Sequence, residues 1–224
     1  MSVKSNLEEI QQEIREHAHQ RDDETLPNVI AVTKYVTIER AIEAYEAGLR
    51  HFGENRIEGF LEKKAALPDD VKMHFIGSLQ SRKVKDVIDE IDYLHALDRQ
   101  SLAKEISKRA HHEIKCFVQV NVSGETSKHG ISLDDVIPFI EMLKDYRYIH
   151  VVGLMTMAPY TDDTAYLKSI FEKLKIKRDE VQAMNLTHAP CTELSMGMSN
   201  DFHIATEAGA TFVRIGTRLV GKEE

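Results

Sequence analysis

The sequence predicts an α/β fold: a single (β/α)8 TIM barrel over residues 1–224, with a helix ahead of the first strand completing the outer ring. Three features carry that prediction. Eight short runs rich in β-branched and apolar residues alternate with stretches of helical periodicity, the rhythm of parallel strands joined by helical crossovers. The first run, 29–33, is continuously apolar rather than alternating, as a strand covered on both faces is. Polar and small residues gather just after the runs, where a barrel of this kind forms its site. Periodicity does not reveal strand order, so a doubly wound open sheet is the alternative.

Taken in order, residues 7–19 place Leu7, Ile10, Ile14 and Ala18 on one narrow helical face. Pro27 and Asn28 open the first strand, which runs into Lys34. Thr37 is an N-cap candidate for a helix over 38–47, and Gly48 its C-cap. The unit then repeats. Strands are expected at 49–54, 72–77, 93–97, 115–122, 150–157, 192–196 and 211–215. Helices are expected at 55–66, 81–90, 99–110, 133–146, 164–184 and 201–208. One helix is missing after the last strand, and the helix at 7–19 is positioned to take its place.

Composition narrows the function. The 224 residues are 42% hydrophobic and 29% charged, the balance of a soluble globular chain. No apolar run reaches the length of a membrane span, and acidic residues follow the N-terminus where a signal peptide would be apolar, so a cytoplasmic protein is expected. The net charge of −8, without a basic cluster, argues against nucleic acid as a partner. Cys116 and Cys191 lie in no metal-spaced pair, and Cys116 reads as core. Ser101 and Lys104 match SxxK, but they fall mid-helix without the partner motifs. The histidines show no HExxH spacing.

Chemistry is expected at the strand ends. A lysine closing a buried strand, Lys34, either snorkels to water or is kept because a desolvated amine attacks carbonyls. Glu54, Asn55 and Arg56 follow the second strand, and Gly77, Ser78 and Gln80 the third. Asn121 and Ser123 follow the fifth, with Lys128 further along that loop, and Met155 and Thr156 end the sixth. After the seventh, Gly197, Met198 and Ser199 lead into a short helix whose unpaired N–H groups would attract an anion. After the eighth, Arg214 is followed by Gly216 and Thr217. Each loop by itself is also ordinary turn chemistry. Two such loops together with Lys34 favour a phosphorylated carbonyl ligand, because loops seven and eight are where these barrels often bind phosphate.

The motifs Ala31-Val32-Thr33-Lys34, His51-Phe52-Gly53-Glu54-Asn55 and His74-Phe75-Ile76-Gly77-Ser78-Leu79-Gln80 make the chain recognisable. So do Ser127-Lys128-His129-Gly130, Leu194-Ser195-Met196-Gly197-Met198-Ser199 and Val213-Arg214-Ile215-Gly216-Thr217. The sequence resembles the pyridoxal 5′-phosphate homeostasis proteins, the YggS/PROSC family, over nearly its whole length. Arg82 stands where that family's pattern expects asparagine.

The resemblance implies a barrel like the alanine racemase N-terminal domain, with pyridoxal 5′-phosphate joined as a Schiff base to Lys34. It implies Ser199, Gly216 and Thr217 at the phosphate, Arg214 near the pyridine nitrogen and Asn55 near the ring. Met155 and Met198 are taken as further contacts, and Lys128 as a second amine that exchanges with Lys34. A monomer that holds and delivers the cofactor, with pyridoxal phosphate-dependent apoenzymes as its recipients, is the expected role. A racemase or decarboxylase on the same imine is the alternative. A barrel whose Lys34 attacks a sugar phosphate directly is a third reading.

An arginine beside the ring nitrogen disfavours its protonation and weakens the ring as an electron sink. The sequence also shows no stretch left over for the β domain that completes alanine racemase. Both points lead to an expectation of cofactor binding without appreciable catalysis.

Overall fold

The computed structural model describes residues 1–23, 25–126 and 129–223. Its strands are β1 (Asn28–Val32), β2 (His51–Glu54), β3 (Lys72–Phe75), β4 (Tyr93–Leu97), β5 (Ile114–Gln119), β6 (Ile149–Met155), β7 (Glu193–Ser195) and β8 (Phe212–Ile215). Each pairs in parallel with the next, and β8 returns to β1 to close the barrel. The order is therefore sequential, and the open-sheet alternative is set aside. In register, Ile30 of β1 stands opposite both His51 of β2 and Arg214 of β8.

Around the barrel lie α1 (Val3–Ala18), α2 (Ile38–Glu46), α3 (Ile57–Ala66), α4 (Val84–Val87), α5 (Gln100–Arg109), α6 (Val136–Leu143), α7 (Thr164–Ala183), α8 (Phe202–Ala208) and α9 (Thr217–Val220). The place after β8 is thus not empty, as the sequence suggested, but holds the single turn α9. The helix α1 packs beside it and completes the ring. Asn6 Nδ2 donates to the Leu219 carbonyl at 2.9 Å, and the Val3 N–H donates to Glu43 of α2 at 3.1 Å. Leu7, Ile10 and Ile14 are buried along the inner face of α1, each worth about 1.5–3 kcal/mol over exposure. The Thr37 hydroxyl accepts from the Arg40 N–H at 3.2 Å, the N-cap read from sequence.

Two expected helices are shorter. Over 81–90 the chain forms the 3-10 turns Ser81–Lys83 and Ile88–Glu90 on either side of α4. Val87, at φ −139°, breaks the ladder so that Val84, Val87, Ile88 and Ile91 can all be buried. Over 133–146 the regular helix begins only at Val136, which leaves Pro138 in the first turn, where a missing N–H costs nothing.

The barrel interior is packed. Ile30, Phe117, Val152, Met155 and Phe212 form a plug in its lumen, separate from the larger core between sheet and helices. Cys116 is buried in that larger core, as expected, and so is Cys191. No described helix is long and apolar enough to cross a membrane.

Candidate functional site

At the C-terminal mouth of the barrel a cavity of about 310 Å³ opens, at the small end of the range for small-molecule sites. It brings together most of the residues singled out from sequence. Lys34, Asn55, Met198, Ser199, Arg214, Gly216 and Thr217 all line it. A wider groove of about 610 Å³ runs along α1, but it is an open depression edged by Glu8, Glu9, Glu13 and Glu16, and its one arginine, Arg218, is already paired with Glu13 at 2.6 Å.

Of the two readings of Lys34, an amine reaching water and a desolvated one, its placement matches the first. The strand β1 ends at Val32, so Lys34 sits in the turn beyond it and is exposed, its Nζ 4.9 Å from the centre of the Tyr35 ring. The buried lysine of this region is Lys63 of α3, at 5% exposure. Its Nζ donates to Glu54 Oε1 at 3.0 Å and to the Thr33 carbonyl at 3.1 Å. The Thr33 hydroxyl donates to the same carboxylate oxygen at 2.7 Å. This cluster pins the residue just before Lys34 from beneath. Sequence reading noted Glu54 and missed Lys63, which looks like any solvated helix lysine.

Two loops form an anion cradle at one end of the cavity. In the loop after β7, Gly197 at φ +100° makes a turn that a side chain would strain. Asp201 Oδ1 accepts the Met198 N–H at 2.7 Å and fixes the turn. Burial raises the Asp201 pKa, against that hydrogen bond and the nearby Arg214 charge. The backbone N–H groups of Ser199, Asn200, Gly216 and Thr217 have no acceptor within the described protein. With the Ser199 and Thr217 hydroxyls they supply up to six donors around one small space.

Arg214 occupies the cavity floor at 3% exposure. Its Nη1 donates to Ser195 Oγ at 2.5 Å and its Nη2 to the Thr156 carbonyl at 3.0 Å. Burial pushes the guanidinium down to about 10, so it remains a cation at neutral pH. Asn55 is held by Gly77, where a Cβ would stand 2.5 Å from the Asn55 carbonyl oxygen.

Met155 is not part of this wall. It is fully buried in the lumen plug, because its place at the end of β6 turns it down among Ile30, Phe117 and Phe212. Met157, two residues on, lines the cavity instead. Ser78, Gln119 and Asn121 border a second cavity of about 340 Å³ that shares Ile76, Met157 and Met198 with the first. Arg82 Nε donates to Gln80 Oε1, two residues back, at 3.1 Å on the surface. Lys128 lies outside the described residues.

A family model for the alanine racemase N-terminal domain matches residues 3–224. A pyridoxal phosphate homeostasis protein of Aquifex aeolicus is 40% identical over 205 residues, covering 90% of this chain and 89% of its own. A human protein of the same name is 34% identical, covering 88% and 77%. The structure of PipY from Synechococcus elongatus with pyridoxal phosphate bound superposes at a TM-score of 0.84 with 30% identity, over 98% of this chain and all of that one. The alanine racemase of Corynebacterium glutamicum shares the fold at a TM-score of 0.73, with 15% identity and 61% of its chain covered.

Proposed function

Because the chain belongs to the alanine racemase N-terminal-domain family, and within it to the pyridoxal phosphate homeostasis proteins, we propose that its mouth cavity holds pyridoxal 5′-phosphate and that the protein buffers this cofactor for other enzymes. The observation that carries the reading is the pairing of an exposed lysine with an anion cradle across one cavity. The group would supply an aldehyde, with which a lysine amine condenses, losing water, to a reducible imine.

The chain's own residues divide the work. Lys34 offers the amine from a turn anchored by Thr33, Glu54 and Lys63. Ser199, Asn200, Gly216 and Thr217 would take the phosphate oxygens with donors that find no acceptor in the protein. Asn55 and Met198 would flank the ring, and Arg214 would present a donor to the ring nitrogen. Since Arg214 is charged and can only donate, it opposes a proton on that nitrogen and keeps the ring a weak electron sink. The described cavity lining carries no carboxylate that could take the opposite role. These two features support storage over turnover of amino acids.

The test is the absorbance spectrum of the loaded protein, then borohydride reduction and peptide mapping. The expected result is an adduct on the peptide containing Lys34. A Lys34→Ala protein that still carries a reducible adduct at full occupancy, mapping elsewhere, would overturn the reading. Rapid α-proton exchange of L- or D-amino acids by the loaded protein would instead favour the racemase or decarboxylase alternative.

A further inference from the structure

A chain of hydrogen bonds runs down the barrel lumen from Arg214. Ser195 Oγ, which accepts from Arg214, lies 2.9 Å from His95 Nδ1. His95 Nε2 lies 2.8 Å from His74 Nδ1, and His74 Nε2 lies 2.9 Å from His51 Nδ1. Ser195, His74 and His95 are fully buried, and His51 is half-buried beside a cavity of about 420 Å³ on the opposite side of the barrel. Four side chains therefore connect the floor of the mouth cavity to the far end of the lumen.

The order of protons along this chain follows from its first member. A guanidinium has no acceptor, so Ser195 Oγ must accept from it. Among the described residues the Ser195 hydroxyl proton then has one acceptor, His95 Nδ1. A neutral imidazole with an accepting Nδ1 carries its proton on Nε2. His95 Nε2 thus donates to His74 Nδ1, and His74 Nε2 donates to His51 Nδ1. Burial lowers the pKa of all three rings, and their neutral forms are the ones this order requires. The opposite order would leave the buried serine proton without a partner.

The same order answers an electrostatic question. Arg214 is a buried cation with no carboxylate in ion-pair contact among the described residues, and Asp201 acts on it only through space. An uncompensated buried charge costs several kcal/mol. In the derived order every imidazole turns its lone pair toward Arg214 and its N–H away. The dipoles add, and their negative ends face the guanidinium.

We infer that Ser195, His95, His74 and His51 form a one-way hydrogen-bond relay that replaces a carboxylate as the counter-dipole of Arg214 and fixes its guanidinium at the floor of the cofactor cavity. All four are positioning residues, and none touches the cofactor in the proposed mode of binding. The inference rests on that mode for its consequence, but not for the relay itself.

The experiment is long-range ¹H–¹⁵N correlation on histidine-labelled protein before any pyridoxal phosphate is added, followed by titration with that cofactor. All three rings should be found as Nε2–H tautomers at neutral pH. Ser195→Ala should leave a folded barrel whose His95 ring no longer holds a single tautomer, with the Kd for pyridoxal phosphate raised about ten-fold. Ser195→Thr, which keeps the hydroxyl, should restore both. A proton on Nδ1 of His95 or His74 in the unmodified protein overturns the relay. So does a Ser195→Ala protein with unchanged tautomers and unchanged retention. If the tautomers are as derived but the protein binds no pyridoxal phosphate, the relay stands and the proposed function fails.

Discussion

Lys63 and Glu54 form a buried ion pair, Nζ to Oε1 at 3.0 Å, with side chains only 6% and 2% exposed. The pair sits under the turn that presents Lys34, and both partners also bond Thr33. It couples α3 to the ends of β1 and β2, and so ties the candidate reactive amine to the frame of the barrel.

Removing one partner leaves the other charged in a place without water. Lys63→Met should therefore lose about 3–5 kcal/mol of stability, measured as a lower urea midpoint with the slope unchanged. Adding Glu54→Leu to it should recover a large part of the loss, because two apolar side chains tolerate burial where one stranded carboxylate does not.

The lumen histidines make stability fall in mild acid. Folding depresses the His74 and His95 pKa values well below 6.5, chiefly by burial, and that of His51 in the same direction. The unfolded chain takes up these protons first, so below 6.5 it binds more protons than the native state and ΔG of unfolding drops as pH drops. Above 6.5 the full stability is present. The loss from the two fully buried rings grows as pH falls below 6.5 and is read as a shift in the urea midpoint. His74→Gln should flatten that dependence.

Gly77→Ala should perturb the cavity directly. The added Cβ would meet the Asn55 carbonyl oxygen at 2.5 Å, a backbone atom that cannot step aside cheaply. A cost of about 1–3 kcal/mol in thermal stability is expected, together with weaker binding of pyridoxal phosphate, since Asn55 is what has to move.

Neither cysteine should react in the native protein. Burial pushes the Cys191 thiol up to about 12 and Cys116 higher still, and both side chains are fully buried. Labelling by a thiol reagent should be negligible until denaturant is added, and both should then react. Fast native labelling of either would contradict the packing described.

The barrel was legible because its signals are local. A continuously apolar run, a turn residue and the next helical stripe each occupy a few neighbouring positions, and eight repeats of that unit leave few other folds. Most of the cavity was legible for a related reason. In a parallel barrel the end of every strand points to the same mouth, so Lys34, Asn55, Ser199, Arg214 and Thr217 converge whatever their separation. Met155 failed this rule because a strand's last residue faces either the mouth or the plug, and the alternation that decides it depends on register.

By itself, then, the sequence determined the number of strands, their alternation with helices along the chain and the rim on which chemistry would gather, since these follow from short-range pattern, while the order of the strands in the sheet waited for the closed barrel. Only the tertiary structure decided what stands behind that rim. It placed Lys34 in the open and Lys63 in the interior, because α3 packs back over the end of β1. It joined His95 to Ser195, 100 residues further along the chain, and through Ser195 to Arg214. Closure of the ring alone makes those contacts, and a buried arginine with no carboxylate in ion-pair contact among the described residues meets its facing dipoles only once they exist.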